Sequence, residues 1–330
     1  MSNNDSQLTQ ILGIEVPLIC GAMYPCSNPE LVAAVSEAGG IGIVQPLSLT
    51  YVHGYDFREG LRYIRSLTQK PIGLNLIIES SSNKYLERVH TWLEIALEEK
   101  VPFFVTALGN PDWVVKKIHS SNGIVYHDAT NKKWATKALD GGVDGFIGVN
   151  NRAGGHAGTL SPEQLIEELA PLGKPVVCAG GIGDAAEFSR IFEMGYTGAQ
   201  LGTRFIASKE CSAHADYKEA IVNAKEEDII LTEKISGVPV SIIKTPYIEQ
   251  IGTHAGPIAR RLLRGRKTKH WMRNFYTLQS VWKLKKGSTQ GMNYRDYLQA
   301  GKSVEGIKKV QLVSEIVADY ASVIKPSNQE

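Results

Sequence analysis

A chain of 330 residues, 43% hydrophobic and 21% charged, holds enough apolar material for two ordinary soluble domains or one large barrel with an insertion. A formal net charge of +2 gives no global electrostatic reason for a nucleic-acid partner. The four cysteines, Cys20, Cys26, Cys178 and Cys211, form no C-x-x-C pair and show no metal-ligand spacing, so they are expected to be reduced, mostly buried thiols of a cytoplasmic protein. The polar start "MSNNDSQLTQ" lacks the basic-then-apolar pattern of a signal peptide. The most apolar long window, "LVAAVSEAGGIGIVQPLSL", contains Glu37, three glycines and Pro46, and reads as helix, turn and strand rather than a membrane span.

In chain order, short apolar runs alternate with amphipathic helices. Strand "VPLICGAM" (16–23) precedes helix "NPELVAAVSEAG" (28–39), with Asn28 as its cap and Pro29 in the first turn. Strand "GIGIVQP" (40–46) and helix "FREGLRYIRSL" (57–67) follow, then strand "PIGLNLI" (71–77) and helix "KYLERVHTWLEIALEE" (84–99). Next come strand "PFFVTAL" (102–108), helix "PDWVVKKIHS" (111–120), strand "GIVYHDAT" (123–130) and helix "NKKWATKALDGG" (131–142). Strand "DGFIGV" (144–149), helix "SPEQLIEELAPL" (161–172), strand "PVVCAGG" (175–181), helix "DAAEFSRIFEMG" (184–195) and strand "GAQLGTRF" (198–205) complete the series.

Eight strands that are apolar end to end, separated by helices, demand a parallel sheet covered on both faces. A doubly wound open sheet is the rival, but "GAMYPCSNP" after the first strand carries no G-x-G-x-x-G. The expected fold is therefore α/β, a TIM (β/α)8 barrel. The eighth helix is missing after strand 8. The late amphipathic segment "SVEGIKKVQLVSEIVADYASVI" (303–324) is expected to supply it. This divides the chain into a barrel of residues 1–209 and 301–330 and an inserted, mostly helical cap of residues 210–300.

In such a barrel the reactive groups sit at the C-terminal strand ends, and phosphate sits on the loops after strands 7 and 8. Those loops read "AGGIGDA" (179–185) and "LGTRF" (201–205). Gly180, Gly181 and Gly183 let backbone N–H groups face inward, Asp184 caps the next helix, and Gly202 with Thr203 adds an amide and a hydroxyl. Either loop alone is explained by tight turns; the two side by side point to phosphate. Asn75, ending strand 3, reads a ligand edge or caps a loop, and Ala22 and Met23, ending strand 1, line a ligand or pack in the core. Within "VNNRAGGHAGTL" (149–160), after strand 6, His156 stands on a glycine-rich loop at the same end of the barrel. Of the other histidines only His127, near the end of strand 5, is comparably placed. No His/Asp/Glu cluster has metal-ligand spacing.

"GAM" after strand 1, Asn75 after strand 3, "AGGHAG" after strand 6, "AGGIGDA" after strand 7 and "GTRF" after strand 8 resemble the nitronate monooxygenase family, formerly 2-nitropropane dioxygenases. The same superfamily includes flavin-dependent NADH:quinone reductases and enoyl-acyl-carrier-protein reductase II. The segment "SGVPVSIIKTPYIEQIG" (236–252), with the basic run after it, is similar to the cap of bacterial members. The resemblance implies FMN. Ala22 and Met23 would line its ring, Asn75 would hydrogen-bond it, Gly155 would lie close to it, and Gly180, Gly181, Gly183, Gly202 and Thr203 would hold its phosphate. It makes His156 the catalytic residue. It implies a small nitronate or nitroalkane and O2 as the reacting partners, and allows a homodimer. One position departs: quinone-reductase relatives carry a lysine near the end of strand 5, where this chain has "YHDAT", with His127 or Asp128 in its place.

Between Gly252 and Tyr294 lie ten Lys or Arg and no Asp or Glu. A solvated helical face, attraction of an anionic substrate, and docking of an acidic carrier protein or anionic lipid surface all fit this run. Nucleic acid fits poorly, because Trp271, Phe275, Tyr276 and Trp282 are spaced as a helix core. A flavin reductase using NAD(P)H and a non-catalytic barrel scaffold are the remaining functional classes compatible with the motifs.

Overall fold

The computed structural model describes residues 7–79, 83–234, 239–253 and 297–324. Eight strands form a closed parallel barrel in sequence order: β1 (Leu18–Cys20), β2 (Ile41–Val44), β3 (Ile72–Ile77), β4 (Phe103–Ala107), β5 (Ile124–Ala129), β6 (Gly145–Val149), β7 (Val176–Ala179) and β8 (Gly198–Leu201). β8 pairs with β1 through Leu18 opposite Ala199 and Cys20 opposite Leu201, which closes the ring. Each strand falls within the apolar run that predicted it. The helices α2 (Pro29–Glu37), α3 (Phe57–Leu67), α4 (Asn83–Glu98), α5 (Asp112–His119), α6 (Lys132–Asp140), α7 (Pro162–Leu169) and α8 (Ala185–Glu193) lie between them.

Local chemistry sets the boundaries. The Asp56 carboxylate accepts from Arg58 N and Glu59 N and starts α3, and Asn131 accepts from Trp134 N to start α6. Ser161 and Gln164 form a reciprocal capping box on α7. Asn28 occupies the cap position of α2, but its side chain makes no capping bond. Its amide instead donates to Glu30 Oε2 and to Glu210 O, and its Oδ1 accepts from Ser212 N, tying the β1 loop to the chain beyond β8.

Strand alternation divides the core in two. Leu18, Cys20, Leu74, Phe104, Val125, Phe146, Cys178 and Ala199 face the helices. Ile19, Ile43, Phe103, Val105, Tyr126, Ile147, Val177 and Ala179 fill the barrel. A helix that the sequence pattern did not predict, α1 (Gln7–Leu12), closes the N-terminal end, with Leu8, Leu12 and Ile14 joining the interior cluster.

Two expectations are corrected. The run 198–205 is not one strand: β8 stops at Leu201, and Thr203–Ile206 forms a short helix, α9. The segment 303–324 is not one helix either. Lys302–Gly306 is a 3-10 turn, and α12 (Val313–Ala321) follows after a break. The physical reason is contact: Gly306 lies so close to the β7 loop that a Cβ there would sit 2.7 Å from Gly183 C and 2.9 Å from Asp184 N. α12 packs against α2 and α8, the place an eighth barrel helix takes.

Between α9 and α12 lie α10 (Ala215–Asn223), an antiparallel pair β9 (Ile229–Thr232) and β10 (Val240–Ile243), and α11 (Pro246–Ile251). The basic run 260–286 and its aromatics lie outside the described residues. All four cysteines are buried and none is in a disulfide. Among the described residues no helix is long and apolar enough to cross a membrane.

Leu8 is fully buried and plugs the barrel floor. Leu8→Ala is expected to cost about 2–4 kcal/mol through lost burial and a cavity. The check is a melting temperature lowered by several degrees.

Candidate active site

Parallel closure brings all eight strand ends to one mouth, and the residues singled out from the sequence divide there by strand parity. On β5, Tyr126 faces inward while Val125 and Ala129 face the helices, so Asp128 points into the barrel and His127 points out. His127 is therefore corrected: it is buried behind the wall, with Nδ1 2.8 Å from the Thr106 hydroxyl. Burial, then nearby Lys137, pushes its pKa down to about 4, so it is neutral at ordinary pH.

Asn75 faces inward on β3 and is buried, with its amide donating to Val105 O at 3.2 Å. Its side-chain oxygen and second N–H remain for a ligand. Asp128 is partly buried, and its Oδ1 finds no hydrogen-bond partner among the described residues. Burial alone raises its carboxyl to about 7. Gln200, inward on β8, also has a buried Oε1 without a partner among the described residues. Gln200 was not among the residues singled out from the sequence. Its signal was there: β8 alternates, and residues 198 and 200 share the inward face while Ala199 and Leu201 face out. Buried polar atoms without partners at an otherwise apolar mouth mark a place where a polar ligand lowers the free energy.

The β7 and β8 loops lie side by side, since Val177 and Ala179 pair with Gly198 and Gln200. Gly180 has φ +119°, and a Cβ there would meet Ala153 N and Asn150 Oδ1 at 2.5 Å. Gly181 has φ +87°, and a Cβ there would meet Arg152 Nε at 2.5 Å. Gly183 is glycine for another reason: its α-carbon is covered by Ser303 and Gly306. At Gly202 the atoms near an added Cβ, among the described residues, belong to the Met23 side chain at 3.5 and 3.6 Å, an ordinary van der Waals contact. The Thr203 hydroxyl accepts from Gly301 N at 3.0 Å. Ala22 and Met23 are partly buried; Met23 N donates to Ser27 Oγ at 2.9 Å.

The His156 loop is held from both sides. Ser241 N on β10 donates to Gly155 O at 2.7 Å, and Lys302 N donates to Arg152 O at 2.9 Å. A Cβ on Gly154 would lie 2.9 Å from Gly301 N, and one on Gly301 would lie 2.5 Å from Gly154 N. Arg152 makes a two-pronged bond to Glu226, at 3.0 and 2.8 Å, and Lys302 reaches the same carboxylate at 3.1 Å. Partial burial works to raise the Glu226 carboxyl, but hydrogen bonds from Lys302 and Arg152 prevail and hold it below the usual range. Neither Arg152 nor Glu226 stood out in the sequence, because 74 residues separate the pair. Asn150, fully buried, donates to Gly180 O at 3.0 Å and ties this loop to the β7 turn.

His156 itself is exposed. Crowding by the surrounding loops lowers its pKa from the ordinary value, opposed by the Glu79 carboxylate on the β3 loop. An imidazole with a lowered pKa is neutral over more of the physiological range, so it is available as a base, though a weaker one. Among the described residues no group of three or more His, Cys, Asp or Glu could hold a metal.

The nitronate monooxygenase family profile matches residues 5–322. The chain belongs to the nitronate monooxygenase family. A probable nitronate monooxygenase of Staphylococcus aureus (strain MSSA476) is 27% identical, over 77% of this chain and 82% of the relative. Among solved structures, FabK from Thermotoga maritima superposes with a TM-score of 0.80 at 27% identity, covering 97% of this chain and 96% of that one. Nitroalkane oxidase from Streptomyces ansochromogenes superposes at 0.72 with 21% identity over 96% and 99% of the two chains, a likeness of fold. In this member of the nitronate monooxygenase family, the loop that carries His156 is braced by the segments that follow β8.

Gly154→Ala is expected to force residues 154 and 301 apart and destabilise the protein by about 1–3 kcal/mol. Limited proteolysis would show earlier cleavage within residues 150–160 than in the wild type. Glu226→Gln, which removes the partly exposed ion pairs to Arg152 and Lys302, is expected to cost about 1 kcal/mol or less, read as a small shift in melting temperature.

Proposed function

We propose that this protein is an FMN-dependent nitronate monooxygenase that oxidises alkyl nitronates with O2 to carbonyl compounds and nitrite. The observation that supports the reading is an exposed His156 on the loop after β6, at the same end of the barrel as Asn75, Asp128, Gln200 and the β7 and β8 glycine turns. The mouth fits a flavin: the unpartnered Gln200 and Asp128 oxygens offer a polar edge, and Gly202, partly exposed with no Cβ of its own, stands beside the β7 turn of Gly180 and Gly181. Asn75, Asp128 and Gln200 would hold the ring, with Ala22, Met23 and Gly155 beside it. Gly180, Gly181, Gly202 and Thr203 would hold the phosphate. Gly183, covered by residues 303–306, serves close packing first. When bound, FMN supplies the electron acceptor and the site of reaction with O2.

The protein's own part is proton handling and exclusion of water. His156 takes the proton from the carbon acid of a neutral nitroalkane, and in its protonated form it stabilises the nitronate anion. The insertion of residues 210–300 acts as a cap: β10 anchors the catalytic loop through Gly155, and the basic segment 260–286 attracts the anion.

A second reading is an NAD(P)H-dependent flavin reductase acting on quinones or enoyl-acyl-carrier-protein thioesters. The likeness to FabK fits it. Anaerobic mixing distinguishes the two, since rapid bleaching of the flavin by NAD(P)H supports the reductase. Nitrite release and oxygen uptake on adding propionate 3-nitronate support the monooxygenase. A colourless protein unable to take up FMN overturns both.

His156→Asn is expected to lower turnover of neutral nitroalkanes by about two to four orders of magnitude and of preformed nitronates much less. Equal losses on both substrates exclude proton abstraction by this residue. Because the imidazole pKa is lowered and the base form is the active one, kcat/KM for nitroalkanes should fall as pH drops through a value below the ordinary histidine range. Initial-rate pH profiles measure this.

A further inference from the structure

The β5 strand holds a second feature, one that proton abstraction by His156 does not use. Asp128 points into the barrel one position above Tyr126, at the level where the interior opens into the mouth. Asn75 on β3 and Gln200 on β8 share the inward face with it. Gln200 presents an unpartnered oxygen that accepts, beside an amide NH2, and Asn75 has given one N–H to Val105 and keeps one. The inward face thus offers the oxygens of these two amides as acceptors and the amide N–H groups of Asn75 and Gln200 as its neutral donors. A flavin ring presents along its pyrimidine edge an acceptor, a donor and an acceptor, so the site needs donors as well. Asp128 Oδ1, buried and without a partner among the described residues, is placed to become one when it carries a proton.

Resting on the flavin reading of this mouth, we propose that Asp128 binds the flavin ring as a carboxylic acid, donating a hydrogen bond to a ring acceptor, so that flavin affinity is controlled by pH. The acid form fills the donor position with no net charge. The carboxylate form places a negative charge against the acceptor edge and loses the bond. The side chains around it on the barrel wall carry no charge, and burial is what shifts it. Tyr126 beneath it on the same strand has its hydroxyl pushed toward the neutral form, first by burial and then by Asp144. His127 faces away and is neutral. His156 and Glu79 come from the β6 and β3 loops, and Asn75 and Gln200 are uncharged. Burial alone moves the Asp128 carboxyl up to about 7, within the physiological range.

The test is titration of the full-length flavin-free protein with riboflavin and with FMN between pH 6 and pH 8.5, followed by quenching of flavin fluorescence. Riboflavin has no phosphate, so its pH dependence reports the ring site alone. Wild-type affinity for riboflavin is expected to fall about tenfold across this range as Asp128 ionises. Asp128→Asn keeps a donor that does not ionise, and its affinity should change by less than about twofold. FMN should show the same difference between the two proteins. Wild-type riboflavin affinity that is flat with pH overturns the proposal and needs no variant to show it. So does an Asp128→Asn profile that follows the wild type. In both cases FMN binding still stands. Failure of the wild type to take up either flavin at pH 6 overturns the flavin reading together with this one.

Discussion

A ring of eight parallel strands gives each strand residue only two directions, into the barrel or out toward the helices. That constraint decides the site. His127 and Asp128 are neighbours in sequence, but one is a neutral imidazole bonded to Thr106 behind the wall and the other a carboxyl in the mouth. The same parity sends Asn75 and Gln200 inward from strands on different parts of the ring, and hides Cys20 and Cys178 among the helices. Ring closure through β1 and β8 fixes this parity for every strand at once, because a slip of one residue would turn each apolar side chain to the wrong layer.

The second determinant is close approach of backbone to backbone. Three short segments meet at the mouth: residues 150–158 after β6, the β7 turn at 180–184, and residues 299–306 leading to α12. Glycines stand at the crossing points, Gly154 against Gly301 and Gly183 against Gly306. Side chains there would separate the segments. The Arg152, Glu226 and Lys302 group sits on the outside of the same junction and adds charge-assisted bonds where all three partners are partly exposed, so its contribution to stability is small and its contribution to orientation larger. The loop that presents His156 is consequently supported by chain far away in sequence.

Much of this was legible beforehand. The alternation of apolar runs and amphipathic helices located all eight strands and the seven helices between them, and the glycine turns after strands 6, 7 and 8 were recognisable because motifs on loops are local in sequence. What escaped has a common cause. Helix α1 was missed because its apolar residues form too short a pattern to stand out, although they plug the barrel. Residues 203–206 carry on an apolar run and read as strand, yet with β8 ending at Leu201 they turn into α9. Gln200 looked like one polar residue in an apolar strand until the closed ring showed what it faces.

The sequence by itself determined the barrel, the order of its strands and the end at which a histidine and the glycine turns gather, because these follow from periodicities of two and 3.6 residues and from glycine's backbone freedom. Only the tertiary structure decided which of His127 and Asp128 enters the mouth, that the segment around 301–306 seals Gly183, and that Glu226 braces the loop that carries His156. Those outcomes depend on contacts between residues dozens of positions apart, and no local pattern encodes which side of a wall, or which distant loop, a side chain will meet.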